Sequence, residues 1–423
     1  MKIQQFLAEH GLLSGNIDAD DLISKFINEM ENGLGGRDSS LPMIPTYISS
    51  DNDIPAHERV IVIDAGGTNL RVAIIFFDRD KRAHLEDFSK YAMPGSQTEV
   101  SADAFFDRLA RYLQPVLNKS DKIGFCFSYP AEISPEMDGK LLKWTKEMKA
   151  PEVIGRFIGK GLLDALGSAG IGKSVVLLND TVATLLAGKA ADNKTYGSYV
   201  GFILGTGTNI AYLEKNKNIL KVSHVDPSGS QTVNVESGGF SKAHMYDIDV
   251  LLDRESEDPG SNRFEKMISG RYLPEIALAA LKKGTEAGLF DAPCGLWING
   301  LTQLNHELMD SLINNSGDGI SKSFNVSGSD RKSIQAIMKA VITRAAKLAA
   351  INISAAVIKA VDGSSELPVC INIDGSSYYK AAGLRENTEK FLGEMLGARN
   401  IGYTLVHVEQ APMIGAAIAG LVN

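Results

Sequence analysis

The sequence predicts an α/β protein made of a duplicated unit that faces one cleft. Three observations point there. Two apolar strand–turn–strand stretches carry the same triplet in their turns, Gly67-Thr68-Asn69 and Gly207-Thr208-Asn209, and a device used twice marks an internal repeat. Short apolar strands alternate with amphipathic helical stretches along much of the chain, the pattern of α/β folds. A third apolar strand within 367–377 ends in another polar turn, Asp374-Gly375-Ser376.

Taken in order, apolar spacing predicts helices over 3–13 and 20–31. A Gly-, Ser- and Pro-rich connector runs from Gly33 to Pro45. Arg59 to Asp80 reads as a hairpin of two apolar strands. A helix is expected over 103–117, a buried strand over 122–130, an amphipathic helix over 151–167, a strand over 174–180 and a helix over 181–190. The second hairpin covers 198–215, and 241–360 is mostly helical in pattern, most clearly over 336–361. Strands over 367–377 and 401–408 and an apolar helix over 414–422 complete the reading.

Length and charge narrow the class. A chain of 423 residues leads us to expect two or three domains. With 44% hydrophobic and 22% charged residues it is an ordinary globular composition. A net charge of -8 without a Lys/Arg run argues against nucleic acid as a partner. The cysteines Cys126, Cys294 and Cys370 are far apart and form no CxxC pair, which argues against a disulfide framework or structural zinc and fits a reducing compartment. The opening residues lack a long apolar run, and no stretch of about 18 consecutive apolar residues occurs, so neither a signal peptide nor a membrane span is expected. The expectation is a cytoplasmic protein, monomer or homodimer.

One motif misleads. Gly167 to Ser174 reads GSAGIGKS, a formal match to the P-loop pattern. A P-loop needs a strand before it and a helix after it. Here the order is reversed, so the stretch is a helix-to-strand connection.

The residues that could do chemistry are these. Gly- and Thr-rich turns can aim backbone N–H groups and hydroxyls at phosphate oxygens, although either turn alone could be a plain hairpin turn. Asp64 ends the first strand beside such a turn. A carboxylate there requires a cation between it and a phosphate, which points to Mg²⁺. Asn179-Asp180 follows a buried strand, at the end where ligands bind in open α/β sheets. Asp180 could act as a general base or could cap the helix after it. Lys146, beside Trp144 and Thr145, could hold a phosphoryl group or be merely solvated, and Glu236 and Glu265 could bind sugar hydroxyls or lie on the surface.

Together these segments resemble the hexokinase family of actin-like sugar kinases, in order from about Leu41 to Leu421. LPMIPTYIS, IDAGGTNLRV, GFCFSYPAE, LLKWTKEMKA, LLNDTVATLLAG, GFILGTGTNIAYLE, VNVESGGF, DPGSNRFEKMISGRYLPEI and INIDGSSYYK carry the likeness. There are departures. The family often has W-G-A-F after its sugar-binding Glu, where this chain has Ser237-Gly238-Gly239-Phe240; its G-F after WTK is Glu147-Met148; its Gly-Ser-Gly turn before the last helix is Gln410-Ala411-Pro412-Met413.

The resemblance implies an α/β fold of two actin-like, ribonuclease H-like domains around a central cleft. The smaller would span 59–182 with 411–423, the larger 1–58 with 183–410. It implies an ATP-dependent hexokinase making hexose 6-phosphate, glucose first, with hexose and Mg-ATP as partners. The alternatives are a kinase for mannose, fructose or an N-acetylhexosamine, or a catalytically silent sugar-binding regulator. Asp180 would be the base and Lys146 would sit near the transferred phosphoryl. Ser128, Thr145, Lys146, Asn179, Asp180, Asn209, Glu236 and Glu265 would meet the sugar. Asp64, Gly66, Gly67, Thr68, Asn69 and Arg71 would form the first phosphate turn, and Thr206, Gly207 and Thr208 the second. Gly270, Arg271, Gly375 and Ser376 would line the nucleoside pocket. Asp64 and Asp180 would hold Mg²⁺ through water.

Overall fold

Two helices lead the chain, α1 (Ile3–Glu9) and α2 (Ala19–Leu34). Asp18 caps α2, its side chain accepting from Asp21 N, as short acceptors do for the unpaired amides of a first turn. A two-residue strand, β1 (Ile44–Pro45), follows. This computed structural model describes residues 2–49, 52–145, 148–223, 225–314, 327–361 and 366–423.

The first sheet is built from the first predicted hairpin. β2 (Val60–Gly66) runs antiparallel to β3 (Asn69–Phe77), and β4 (Ala83–Ala92) adds to the outer edge of β3. On the other side β5 (Lys122–Phe127) lies parallel to β2. A small hairpin of β6 (Ala131–Ile133) and β7 (Gly139–Leu141) branches off next, and β8 (Ser174–Leu178) lies parallel to β5. Helices α3 (Ala102–Leu113) and α4 (Ile158–Leu166) bury apolar stripes against one face.

The second sheet repeats the plan. β9 (Ser198–Leu204) pairs antiparallel with β10 (Thr208–Lys215), which pairs with β11 (Ser230–Asn234). β12 (Val369–Asp374) runs parallel to β9, and β13 (Tyr403–Val406) parallel to β12. The orders β4-β3-β2-β5-β8 and β11-β10-β9-β12-β13 are therefore the same five-strand topology, with β1 added at the edge of β11. The internal repeat read from two turns extends to the whole of each sheet.

Between the sheets lie two apolar helices, α5 (Asp180–Ala187) and α14 (Ala411–Val422). α5 packs on β9 and β10, while α14 packs on α5 and on β2, β5 and β8. Their backbones approach closely: a Cβ on Gly415 would stand 1.9 Å from Ala183 O, and one on Gly124 of β5 would stand 1.9 Å from Ala416 O.

The helical stretch resolves into α6 (Asp247–Glu255), α7 (Arg263–Ile268), α8 (Leu273–Glu286), α9 (Ala292–Gly300), α10 (His306–Asn314) and α11 (Gly328–Ala360). α11 is long and apolar enough to cross a membrane, but most of its apolar stretch is buried inside the protein. One ion pair is buried with it: Arg344 donates through Nη1 and Nη2 to Asp249 of α6 at 2.9 and 2.8 Å. α12 (Ser376–Lys380) and α13 (Leu384–Gly397) follow β12.

Three sequence readings need correction. The helix expected over 151–167 begins only at Ile158, because Pro151 starts a short 3₁₀ turn and Gly155 bends the chain at φ 82°. The strand read to residue 377 stops at Asp374, and Ser376 already opens a helix. β4 and β11 escaped the sequence reading. The P-loop lookalike is a connection, as expected: Lys173 Nζ donates to Leu117 O, Ser120 O and Asp121 Oδ1, and so ties down the start of β8.

Candidate active site

The first Gly-Thr-Asn turn joins β2 to β3. Gly67 takes φ 69°, and the turn is held from outside: Tyr129 OH donates to Gly67 O at 2.7 Å and Met93 N to Thr68 O at 2.9 Å. Ser128 N donates to Ala65 O at 3.1 Å, which sets the segment after β5 beside this turn. Asp64 is buried at the end of β2, and Arg71 Nη1 donates to its Oδ2 at 2.6 Å. Burial pushes the Asp64 carboxyl up, against the pull of Arg71, and the charge of Asp374 adds to the rise. Cys126, opposite Asp64 on β5, is fully buried, and its thiol is pushed well up by burial and then by the charges of Asp64 and Asp180.

The second Gly-Thr-Asn turn joins β9 to β10, closed by Gly205 N donating to Gly207 O at 2.9 Å. Elements distant in sequence surround it. Gly270 N donates to Gly205 O at 2.8 Å, Arg271 N to Thr206 O at 3.3 Å, and Ser377 Oγ to Gly205 O at 3.0 Å. Gly375 takes φ 116°, and a Cβ there would lie 2.4 Å from the Leu204 carbonyl carbon and oxygen. Only glycine fits such a close backbone approach. Gly270, Arg271, Gly375 and Ser376 are thus brought to one side of this turn.

Asp180 stands between the two turns. Asn179 is the N-cap of α5, its Oδ1 accepting from Thr181 N at 2.8 Å. The capping role left open by the sequence belongs to Asn179, and Asp180 is the first helical residue. Thr181 Oγ1 donates to Asp180 Oδ1 at 3.3 Å. A carboxylate at a helix N-terminus is favoured by the helix dipole.

Two further carboxylates lie just after β11 and on α7. Glu236 adopts left-handed φ 59° and ψ 49°, a conformation that costs a non-glycine residue about 1–2 kcal/mol. Its Oε1 accepts from Asn234 Nδ2 at 2.7 Å and from Asn209 Nδ2 at 3.2 Å. Burial pushes its carboxyl up, those hydrogen bonds oppose the rise and the charge of Asp180 adds to it. Glu265, on α7, accepts from Thr208 N through Oε2 at 3.0 Å. Burial raises its carboxyl too, reinforced by Glu236. These raised carboxyls describe a desolvated acidic pocket, the kind of environment that marks functional sites.

Thr145 follows Trp144, whose Nε1 donates to Ala150 O at 2.7 Å while its ring packs edge-on against Tyr129. Lys146 lies outside the described residues. Asn234 and Asp374 join the site but were not picked out by sequence. Asn234 had a legible signal, since it stands two residues before Glu236 in the VNVESGGF segment. Asp374 had one too, as the acid ending the third apolar strand.

Among the described residues, no group of three or more His, Cys, Asp or Glu side chains could hold a metal directly. The desolvated Asp64, with one oxygen taken by Arg71, has the chemistry to meet a hydrated Mg²⁺ already held by phosphates, the way Mg²⁺ is usually bound.

Two repeated α/β units, each presenting a Gly-Thr-Asn turn to carboxylates gathered between them, define the actin-like class of phosphotransferase folds. Comparison with known proteins gives the family. Two hexokinase family models match, over residues 3–190 and 199–422. Hexokinase-1 of Spinacia oleracea is 30% identical over 92% of this chain and 84% of its own length. Hexokinase-1 of Saccharomyces cerevisiae is 29% identical over 95% of this chain and 89% of its own. A solved hexokinase from Schistosoma mansoni complexed with glucose superposes with a TM-score of 0.76 at 25% identity, over 99% of this chain and 100% of that one. The chain belongs to the hexokinase family.

Proposed function

We propose that this protein transfers the γ-phosphoryl group of ATP to the 6-hydroxyl of a hexose, glucose first, releasing hexose 6-phosphate and ADP. The observation that carries the reading is the convergence of Asp180, within the electrostatic reach of both Glu236 and Cys126, with the buried Asp64 beyond. One carboxylate is thereby set between a polar pocket fit for sugar hydroxyls and the two phosphate turns. The glucose complex of the Schistosoma mansoni relative supports the choice of hexose.

Asp180 accepts the proton of the 6-hydroxyl as its oxygen attacks the γ-phosphorus and the bond to ADP breaks. Glu236, Glu265, Asn209, Asn179, Ser128 and Thr145 hold the remaining hydroxyls. Asn179 does so through its Nδ2, since its Oδ1 caps α5. Thr68, Thr206, Thr208 and the backbone N–H groups around Gly66, Gly67 and Gly207 hold phosphates, with Lys146 beside the transferred group. Gly270, Arg271, Gly375 and Ser376 face the nucleoside. Mg²⁺ bound with the nucleotide would be held through water by Asp64 and Asp180, and it would neutralise charge on the β- and γ-phosphates. The units we assign, 59–182 with 411–423 and 1–58 with 183–410, follow the two sheets and the packing of α14 on the first. A hexose touching both draws them together, which excludes water and limits ATP hydrolysis. We place the protein in the cytoplasm, a reading supported by its unpaired, buried Cys126, Cys294 and Cys370.

The test is ADP release from Mg-ATP with glucose, mannose, fructose or N-acetylglucosamine, each beside Asp180→Ala. Turnover that vanishes in the variant supports the reading and names the hexose. Sugar binding without turnover for any of them would make the protein a binder and overturn it.

A further inference from the structure

The middle of α11 carries a polar residue that packing does not ask for. Asn352 is 1% exposed, among buried Ala349, Ala350, Ile351 and Ile353. An apolar side chain there would remove the buried amide, and only the Ser237 hydroxyl would lose a partner. Asn352 Nδ2 donates to Ser237 Oγ at 2.9 Å, while its Oδ1 has no partner among the described residues. A buried amide kept half-satisfied costs the fold stability, so its presence calls for a reason.

The reason lies one residue from Ser237. Glu236 is held in its left-handed conformation by the 236–240 segment. That segment contains Gly238 and Gly239, which do little to fix a backbone by themselves. Where the family often has a bulky Trp, this chain has Ser237, 0% exposed. Ser237 N donates to Asn209 Oδ1 at 3.2 Å, and Asn209 Nδ2 donates in turn to Glu236 Oε1 at 3.2 Å. A chain of hydrogen bonds therefore runs from the rigid centre of α11 through Ser237 and Asn209 to the Glu236 carboxylate. Of its members, Asn352 alone comes from outside residues 209–237.

We infer that Asn352 and Ser237 are positioning residues for Glu236 that set hexose affinity without touching the hexose. The inference rests on the proposed reading of Glu236 as a sugar-binding carboxylate. The bond fixes the turn after Glu236, in the place of the bulky side chain the family often uses there. Its effect falls on the sugar side, because the chain enters the second turn only at Asn209, whose side-chain amide faces Glu236 and Ser237.

The test uses the full chain with Ser237→Ala, Asn352→Ala, the double variant and Glu236→Gln. Steady-state kinetics give KM for hexose, KM for ATP and kcat, and the intrinsic fluorescence of Trp144 and Trp297 gives hexose affinity without nucleotide. We expect either single change to raise hexose KM and Kd about 3- to 10-fold, the range spanned by one neutral hydrogen bond. ATP KM should stay within about twofold, and the double variant should match the worse single one, as expected for two ends of one bond. If Asn352→Ala does not fold, Ser237→Ala decides alone, since it removes a single oxygen. Hexose KM unchanged in the single variants while Glu236→Gln raises it would overturn the positioning inference and leave the sugar reading intact. Hexose KM unchanged in Glu236→Gln as well would overturn both. An equal rise in ATP KM would show a general structural defect and overturn the inference.

Discussion

Gly207 belongs by sequence to a phosphate turn, yet the geometry makes Gly207→Ala a test of the sugar side. A Cβ at this position would lie 2.5 Å from Glu265 Oε2 and 3.3 Å from its Cδ. Ordinary carbon–oxygen contact is about 3.4 Å, so the carboxylate must retreat by roughly 0.9 Å. Glu265 Oε2 accepts from Thr208 N at 3.0 Å, and that retreat takes the bond beyond about 3.5 Å, where it no longer counts as a hydrogen bond. A hydrogen bond to a charged group contributes about 1.5–3 kcal/mol, so kcat/KM for hexose should fall roughly 10- to 150-fold. The fold itself should be spared, because Glu265 is the end of a rotatable side chain and Gly207 has no left-handed φ. The assay is coupled ADP release with hexose and ATP varied in turn, beside a thermal melt. A variant that loses ATP affinity while hexose kcat/KM stays within about threefold would refute the link from Gly207 to Glu265.

Three further outcomes are expected. Asp180→Ala should lower kcat by about 10²–10⁴-fold, the usual contribution of a general base, with hexose affinity by fluorescence changing far less; a kcat near that of the parent removes Asp180 from the chemistry. The Glu236 carboxyl is raised above its ordinary 4.5. Its contribution to stability is therefore complete below about pH 4.5 and is lost as pH rises through the higher folded value. Glu236→Gln keeps an oxygen for Asn234 and Asn209 but carries no charge, so its Tm should exceed the parent's at pH 7 and converge with it near pH 4. A Tm difference independent of pH would contradict the burial argument. Arg344→Leu leaves Asp249 buried without its cation, the two side chains being 1% and 2% exposed. It should cost about 3–5 kcal/mol in denaturant unfolding, and a loss below about 1 kcal/mol would show that the pair does not matter to α11 packing.

What the sequence made legible follows from how local each signal was. The two Gly-Thr-Asn turns declared themselves because their apolar strands flank them directly. Both hairpins, and the repeat they imply, appear in the fold. Asp180 could not be separated from a helix cap until Asn179 was seen in that role. β4 escaped because it is an edge strand with Leu85 and Phe88 exposed and no clean alternation. β11 escaped because its five residues, SQTVN, are mostly polar and follow a Ser- and Gly-containing loop, whereas the equally short β8 is SVVLL. Nothing in the sequence tells that Glu265 reaches back to Thr208, or that one amide in the apolar run of α11 points at Ser237. Such contacts join elements far apart in the chain, and only the packed fold decides which helix face meets which turn.

The placement of α14 has a consequence for how the protein is made. The strands β2, β5 and β8 leave the ribosome early, by residue 178, with Val60, Val62, Cys126, Val176 and Leu178 on the face that α14 will cover. Helix α5, with Asp180 at its start, waits for the same cover. Until residues 411–422 have been synthesised, that face has no native partner, although nearly all of the site's side chains already exist. Such delayed, long-range contacts slow folding and expose apolar surface meanwhile. The growing chain therefore carries this apolar face without its main cover for most of its synthesis. Activity should arise in one late step, when α14 docks between the sheets.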